Sequence, residues 1–201
     1  MRQNGRSMVE MLGVLAVIGV LSLGGLAGFN KAMTKHKLNQ HLDGINKILI
    51  ASYELSLKLP TDTGWVQYCS LLKSTNSIPD GFKYVSNGVI RDNFQNPFYF
   101  YRTAVKTWGI FYNLNADEAN AEICRNLLFL VKENSHALYT VSRSTKKTQD
   151  DDYRISHKFY GHHYCKQGVS CLDDLTVSQI IDYCNYKTDE EKAYNFWIEW
   201  K

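Results

Sequence analysis

Proline is nearly missing. Three occur in 201 residues, at Pro60, Pro79 and Pro97, so none stands before residue 60. Charge of one sign is missing too. The formal net charge is +3, and acidic and basic residues are mixed along the chain. The exceptions are a short basic patch (Lys31, Lys35, Lys37) and an acidic run from Asp150 to Asp152, both read as solvated surface. This excludes an extended nucleic-acid-binding face. Between Met11 and Phe29 there is no charge at all, and Ser22 is the only hydroxyl. No cysteine precedes Cys69, and the other four stand at positions 124, 165, 171 and 184. That arrangement suits a disulfide-forming exterior compartment if the apolar segment exports the rest of the chain. An odd count leaves one thiol over or one cysteine paired between chains. Aromatic residues are abundant, with thirteen Tyr, so the bulk of the chain is a folded domain and not a disordered tail.

The uncharged stretch 11–29 is about nineteen residues long. As a helix it rises about 28 Å, close to the roughly 30 Å hydrocarbon core of a bilayer. Three readings compete. A cleaved secretory signal would use Arg2 and Arg6 as its basic region and Gly25-Leu26-Ala27 as its cleavage site. Its apolar core is long for that role, and Glu10 falls at its start. A plain uncleaved anchor accounts for the length but gives Glu10 no function.

The third reading uses the whole pattern. Gly5 is followed after four residues by Glu10, and Glu10 directly by the apolar run. This resembles the class III signal of type IV pilins and type II secretion pseudopilins. The resemblance implies a leader of residues 1–5, cut by a prepilin peptidase between Gly5 and Arg6. Arg6 becomes the N-methylated terminus, and residues 6–29 stay as a transmembrane segment that later enters a filament core. Glu10 is then the assembly glutamate. This chain differs from the common family pattern in beginning its mature part with Arg6 instead of Phe, and in lacking a mid-helix proline. Gly24 and Gly25 are candidates for a soft point instead. The lysines after Phe29 alone would favour the opposite orientation. The cysteines and the leader pattern place the N-terminus in the cytoplasm and the head outside the inner membrane, later in an extracellular pilus or periplasmic pseudopilus.

After the apolar run the period becomes helical with one apolar stripe: Leu38, Leu42, Ile45, Ile48, Leu49 and Leu55. One long helix is predicted from Arg6 to about Lys58, ended by Pro60, with Gly44 as a possible weak point. A short helical piece is predicted around Trp65–Lys73. Strands follow at 82–85 and 89–91 around the Asn87-Gly88 turn, then at 98–105 and 108–113. Asn115 reads as a helix N-cap, with a helix to about Lys132, a strand at 137–142 and a last strand at 194–200. The expected fold is α+β: a long N-terminal helix, half transmembrane and half amphipathic, on an antiparallel sheet of three to four strands. It resembles a pilin head, 30–201, and the "YNLNADEANAEIC" block looks most like the type IVb-like subgroup.

In the pilin family a disulfide staples the C-terminal region to the body, and Cys124 and Cys184 stand in the order for it. Cys165 and Cys171 are near neighbours placed for a small loop, which would leave Cys69 free. Spacing alone leaves the connectivity open. His157, His162, His163 and Cys165 in "HKFYGHHYC" are donor types for zinc. Adjacent histidines on a strand point to opposite faces, and the spacing fits no finger, so an aromatic surface loop is the reading adopted. No metal, cofactor or enzymatic activity is expected. The expected function is a structural subunit of a type IV pilus or related filament, partnered by copies of itself, the prepilin peptidase and inner-membrane assembly machinery. A minor pilin or pseudopilin fits the same features. A membrane-anchored periplasmic binding protein that does not polymerise is the alternative from another class.

Overall fold

The computed structural model describes residues 8–59, 64–115, 118–146, 154–185 and 193–201, and for residues 8–10, 20–24, 87, 115, 118, 145–146, 154–156 and 193 the backbone alone. The chain divides into two compact units between Asn39 and Gln40. Helix α1 (Met8–Ser56) runs through that division without a break. Neither the glycines of the apolar run nor Gly44 interrupts it, because no proline stands inside it to remove a helix hydrogen bond.

In the first unit every described side chain from Met11 to Lys37 is exposed. Met11, Leu12, Val14, Leu15, Val17 and Ile18 are each more than half exposed, as are Leu26 and Phe29. Among the described residues no helix is long and apolar enough to cross a membrane.

The second unit is α+β. After α1 come β1 (Val66–Gln67), α2 (Cys69–Ser74), β2 (Lys83–Val85), β3 (Val89–Arg91), β4 (Pro97–Arg102) and β5 (Trp108–Asn115). The chain continues through α3 (Glu118–Glu133), β6 (Thr140–Lys146), β7 (Arg154–Tyr160), α4 (Val177–Cys184) and β8 (Ala193–Trp200). The eight strands form one sheet, ordered β2-β3-β4-β5-β8-β6-β7, with β1 paired to β4. All pairings among these strands are antiparallel.

The sheet is larger than the three or four strands expected. Strand β7 gives a weak signal in sequence because Lys and His dilute its period-2 pattern, and β1 is only two residues long. The piece predicted as helix at 65–73 is β1 followed by α2. The strand predicted at 137–142 starts later: residues 135–137 form a 3₁₀ turn, and the strand begins at Thr140. Helix α4 is an addition to the predicted elements. Thr176 and Gln179 form a capping box at its start, with Thr176 Oγ1 accepting from Gln179 N.

The C-terminal strand lies in the middle of the sheet. Tyr194, Phe196, Ile198 and Trp200 alternate onto one face and pair across β5 with Leu114, Tyr112, Ile110 and Trp108. All eight are buried. Phe98 and Phe100 of β4 extend the same layer. The second half of α1 meets this layer along His41, Gly44, Ile45, Ile48, Ser52 and Ser56, all buried. The helical period is as expected, but the buried line is more polar. Leu38, Leu42, Leu49 and Leu55 are only half-buried.

Candidate functional site

Polar residues on the inner line of α1 each need a partner, because an unpaired buried donor costs about 1–3 kcal/mol. Two of them find one on the sheet. Trp200 Nε1 donates to Ser56 Oγ at 2.9 Å, joining the end of α1 to the last strand. His41 Nε2 lies 2.6 Å from the Tyr112 hydroxyl and 3.2 Å from Asp92 Oδ2. Tyr112 in turn donates its proton to Asp92 Oδ2. A phenol has one proton, so with that proton spent on Asp92 its oxygen accepts from His41. This assigns the Nε2–H tautomer to His41.

Asp92 sits in the turn between β3 and β4 and organises it. Its Oδ1 accepts from the backbone N–H of Phe94 and of Asn96, each at 2.8 Å. Asn96 Nδ2 donates to Asp92 Oδ2 at 3.0 Å and to Asn120 Oδ1 of α3 at 2.7 Å. One carboxylate therefore ties α1, the β3–β4 turn, β5 and, through Asn96, α3. Burial alone pushes Asp92 upward. The hydrogen bonds from His41, Tyr112 and Asn96 outweigh it and leave the carboxyl below its ordinary value. Burial, then the neighbouring Asp92 charge, pushes the Tyr112 phenol well above its ordinary range. Phe82 stacks on the His41 ring with centroids 5.5 Å apart, and Phe94 meets it edge-on at 6.0 Å. Gly44 allows this: a Cβ there would overlap the Phe82 ring.

This constellation has the residue types of a catalytic relay but not the access. His41 and Asp92 are each 2% exposed and Tyr112 is fully buried. Its chemistry is that of a latch. Nothing in the sequence marks it: His41 falls in a helical stripe among lysines, and Asp92 is 51 residues away from it along the chain.

The sequence-predicted residues fall in several places. Gly5 and Arg6 lie outside the described residues. Glu10 is part of α1, with its side chain outside the described residues. Cys124 of α3 is bonded to Cys184 of α4, with Cα atoms 5.7 Å apart and a sequence separation of 60. Cys165 is bonded to Cys171, Cα atoms 5.5 Å apart. Cys69 is free and buried. Phe100 N donates to its sulfur at 3.0 Å, and burial pushes its thiol up to about 11.

The histidines divide. His157 is on β7, its ring edge-on to Tyr183 at 4.4 Å. His162 and His163 are not on a strand but in a 3₁₀ turn, His162–Tyr164, where both rings lean toward the same neighbour, His136.

A cleft of about 300 Å³ lies on the other side of α1, lined by Leu49, Ile50, Tyr53, Leu57, Val131 and Leu138 among others. The chain matches no known protein family, no curated protein and no solved structure.

Proposed function

We infer that the chain is the structural subunit of a type IV pilus or a related filament, released from its leader at Gly5–Arg6 and assembled through the first part of α1. The observation that carries this reading is α1 itself. It is continuous from Met8 to Ser56, and its large apolar side chains Met11, Leu12, Val14, Leu15, Val17, Leu26 and Phe29 stand more than half exposed. A row of exposed Leu and Val on a helix requires a lipid or a protein surface around it. The Gly5–Glu10 spacing favours both in turn: bilayer first, neighbouring helices afterwards. In a dry helix core a carboxylate needs an opposite charge. Glu10 then takes the ammonium of Arg6 on a neighbouring subunit, which sets the register of assembly.

The α+β head, with its helix latched to a sheet and four of its five cysteines paired, supports the reading as a head carried on such a helix. The role is assembly, without catalysis and without a nucleic acid. A minor pilin or pseudopilin shares every one of these features. The experiment is microscopy of filaments sheared from cells expressing the chain, with mass spectrometry to identify the subunit. A filament containing the chain is the expected result. Its absence, with the protein processed and present in the membrane, would favour an anchored periplasmic binding protein. The cleft between α1 and α3 is the feature that favours this second reading, although its volume stands at the lower limit for ligand sites.

A further inference from the structure

We propose that His136, His162 and His163 form a surface site for one borderline divalent transition-metal ion, such as Zn²⁺ or Ni²⁺, with Asp173 orienting His162. Two chain segments distant in sequence build it. His136 is in the 3₁₀ turn Ser135–Ala137, between α3 and β6. His162 and His163 are in the 3₁₀ turn after β7. Ring centroids are 4.0 Å apart for His136 and His162, 5.7 Å for His136 and His163, and 5.2 Å for His162 and His163. All three residues are exposed.

Adjacent histidines reach one neighbour here because a 3₁₀ turn separates successive side chains by about 120°, whereas a strand sends them to opposite faces. The two turns are held together by devices other than the histidines. Gly161 N donates to Tyr139 O at 3.0 Å, and a Cβ at Gly161 would overlap the Leu138 carbonyl, so only glycine permits this approach. The Cys165–Cys171 disulfide closes the loop immediately after His163.

Asp173 bridges the two turns and gives the arrangement its chemical direction. Its Oδ1 accepts from Ser135 Oγ, beside His136. Its Oδ2 accepts from His162 Nδ1 at 2.7 Å. An imidazole that donates through Nδ1 keeps its lone pair on Nε2. A carboxylate holding the far nitrogen of a histidine is the standard outer partner of a metal-binding imidazole, fixing its tautomer and raising its basicity. Three neutral imidazoles select a borderline ion over Ca²⁺ or Mg²⁺, which prefer oxygen.

In the structure the three rings meet tilted or edge-on and their nitrogens are not gathered; binding one ion requires the exposed rings to rotate. Among the described residues the only donor group whose ligand atoms already lie within 4.8 Å of one another is a different one, Cys165, Cys171 and Asp174. Its sulfurs are joined in a disulfide and offer no thiolate.

The test is calorimetric titration of the untagged full-length chain in detergent with ZnCl₂, and separately with CaCl₂, after chelator treatment. One zinc per chain at micromolar affinity is expected, with no calcium uptake. Replacing both His162 and His163 by Ala should remove binding. Asp173→Asn should weaken it by about 10- to 100-fold. His157→Ala, outside the cluster, should leave it unchanged. Circular dichroism of each variant establishes that the fold is retained. No zinc uptake by the wild-type chain, or equal uptake by the double variant, would overturn the site.

Discussion

His41, on the long helix, gives its Nε2 proton to the hydroxyl of Tyr112, on a central strand, across 2.6 Å. The two residues are 71 positions apart in sequence. Tyr112 passes the interaction on to Asp92, and Asp92 fixes the turn beside it. Three side chains therefore form one of the polar ties between the helix and the sheet, the Ser56–Trp200 bond being another. His41→Ala strips a partner from a buried phenol and a buried carboxylate, and should destabilise the head by about 2–4 kcal/mol. Tyr112→Phe should cost about 1–3 kcal/mol. Because the two act through one network, the double variant should lose less than the sum of the singles. Urea denaturation of the three variants measures this.

The same carboxylate sets an acid limit. The folded state holds Asp92 below its ordinary value of 3.8. A carboxyl lowered on folding contributes its stability in full above the unfolded value and loses it as pH falls through the lower, folded one. The head should therefore keep the contribution at neutral pH and shed it below about pH 4. Asp92→Asn should be less stable by about 2–3 kcal/mol at neutral pH, having lost charge-assisted bonds. Its denaturation midpoint should then fall less steeply than that of the wild type on going from neutral to strongly acidic buffer.

Two glycines are required for contact and not for flexibility. Gly44→Ala must push Phe82 off the His41 ring, at a cost of about 1–3 kcal/mol. Gly161→Ala meets backbone at Leu138, which yields less readily than a side chain, so the larger loss of melting temperature is expected there. Differential scanning calorimetry compares them.

The cysteines predict a labelling pattern. Cys69 is buried and its thiol is pushed up to about 11, so it should resist iodoacetamide in the folded protein at mildly alkaline pH. Denaturation without reductant should release one labelled thiol per chain, and reduction should release four more. Replacing Cys124 and Cys184 by Ser should cost about 4 kcal/mol in the loop-entropy model, from a loop of about sixty residues.

Some of these features are legible in the sequence, and others are concealed for identifiable reasons. The helix stripe and the paired strands around Asn87-Gly88 show in local periodicity, which depends only on near neighbours. The latch does not: Asp92 and Tyr112 are brought together by strand pairing and His41 by the packing of α1 on the sheet, and no short window contains either. Gly44 reads as a weak point because propensity scores a glycine without seeing the ring that packs on it. Strand geometry argues against His162 and His163 sharing a neighbour, and the 3₁₀ turn removes that objection. His136, the third member of the cluster, lies 26 residues from His162 and carries no local signal.

The proposed filament assembly gives its roles to Gly5, Arg6 and Glu10. Glu10→Ala should abolish or strongly reduce filaments while leaving leader removal intact, and replacing Gly5 should block removal itself. Immunoblots for processing and microscopy for filaments separate the two effects. Normal filaments from Glu10→Ala would refute the role given to that carboxylate.

The most direct test is the N-terminus of the mature chain isolated from membranes or filaments, read by N-terminal sequencing and intact mass. Pilin-type processing predicts a chain beginning at Arg6 with a methylated amine. A chain beginning at Met1, or at Gly28 after signal-peptide cleavage, would contradict it.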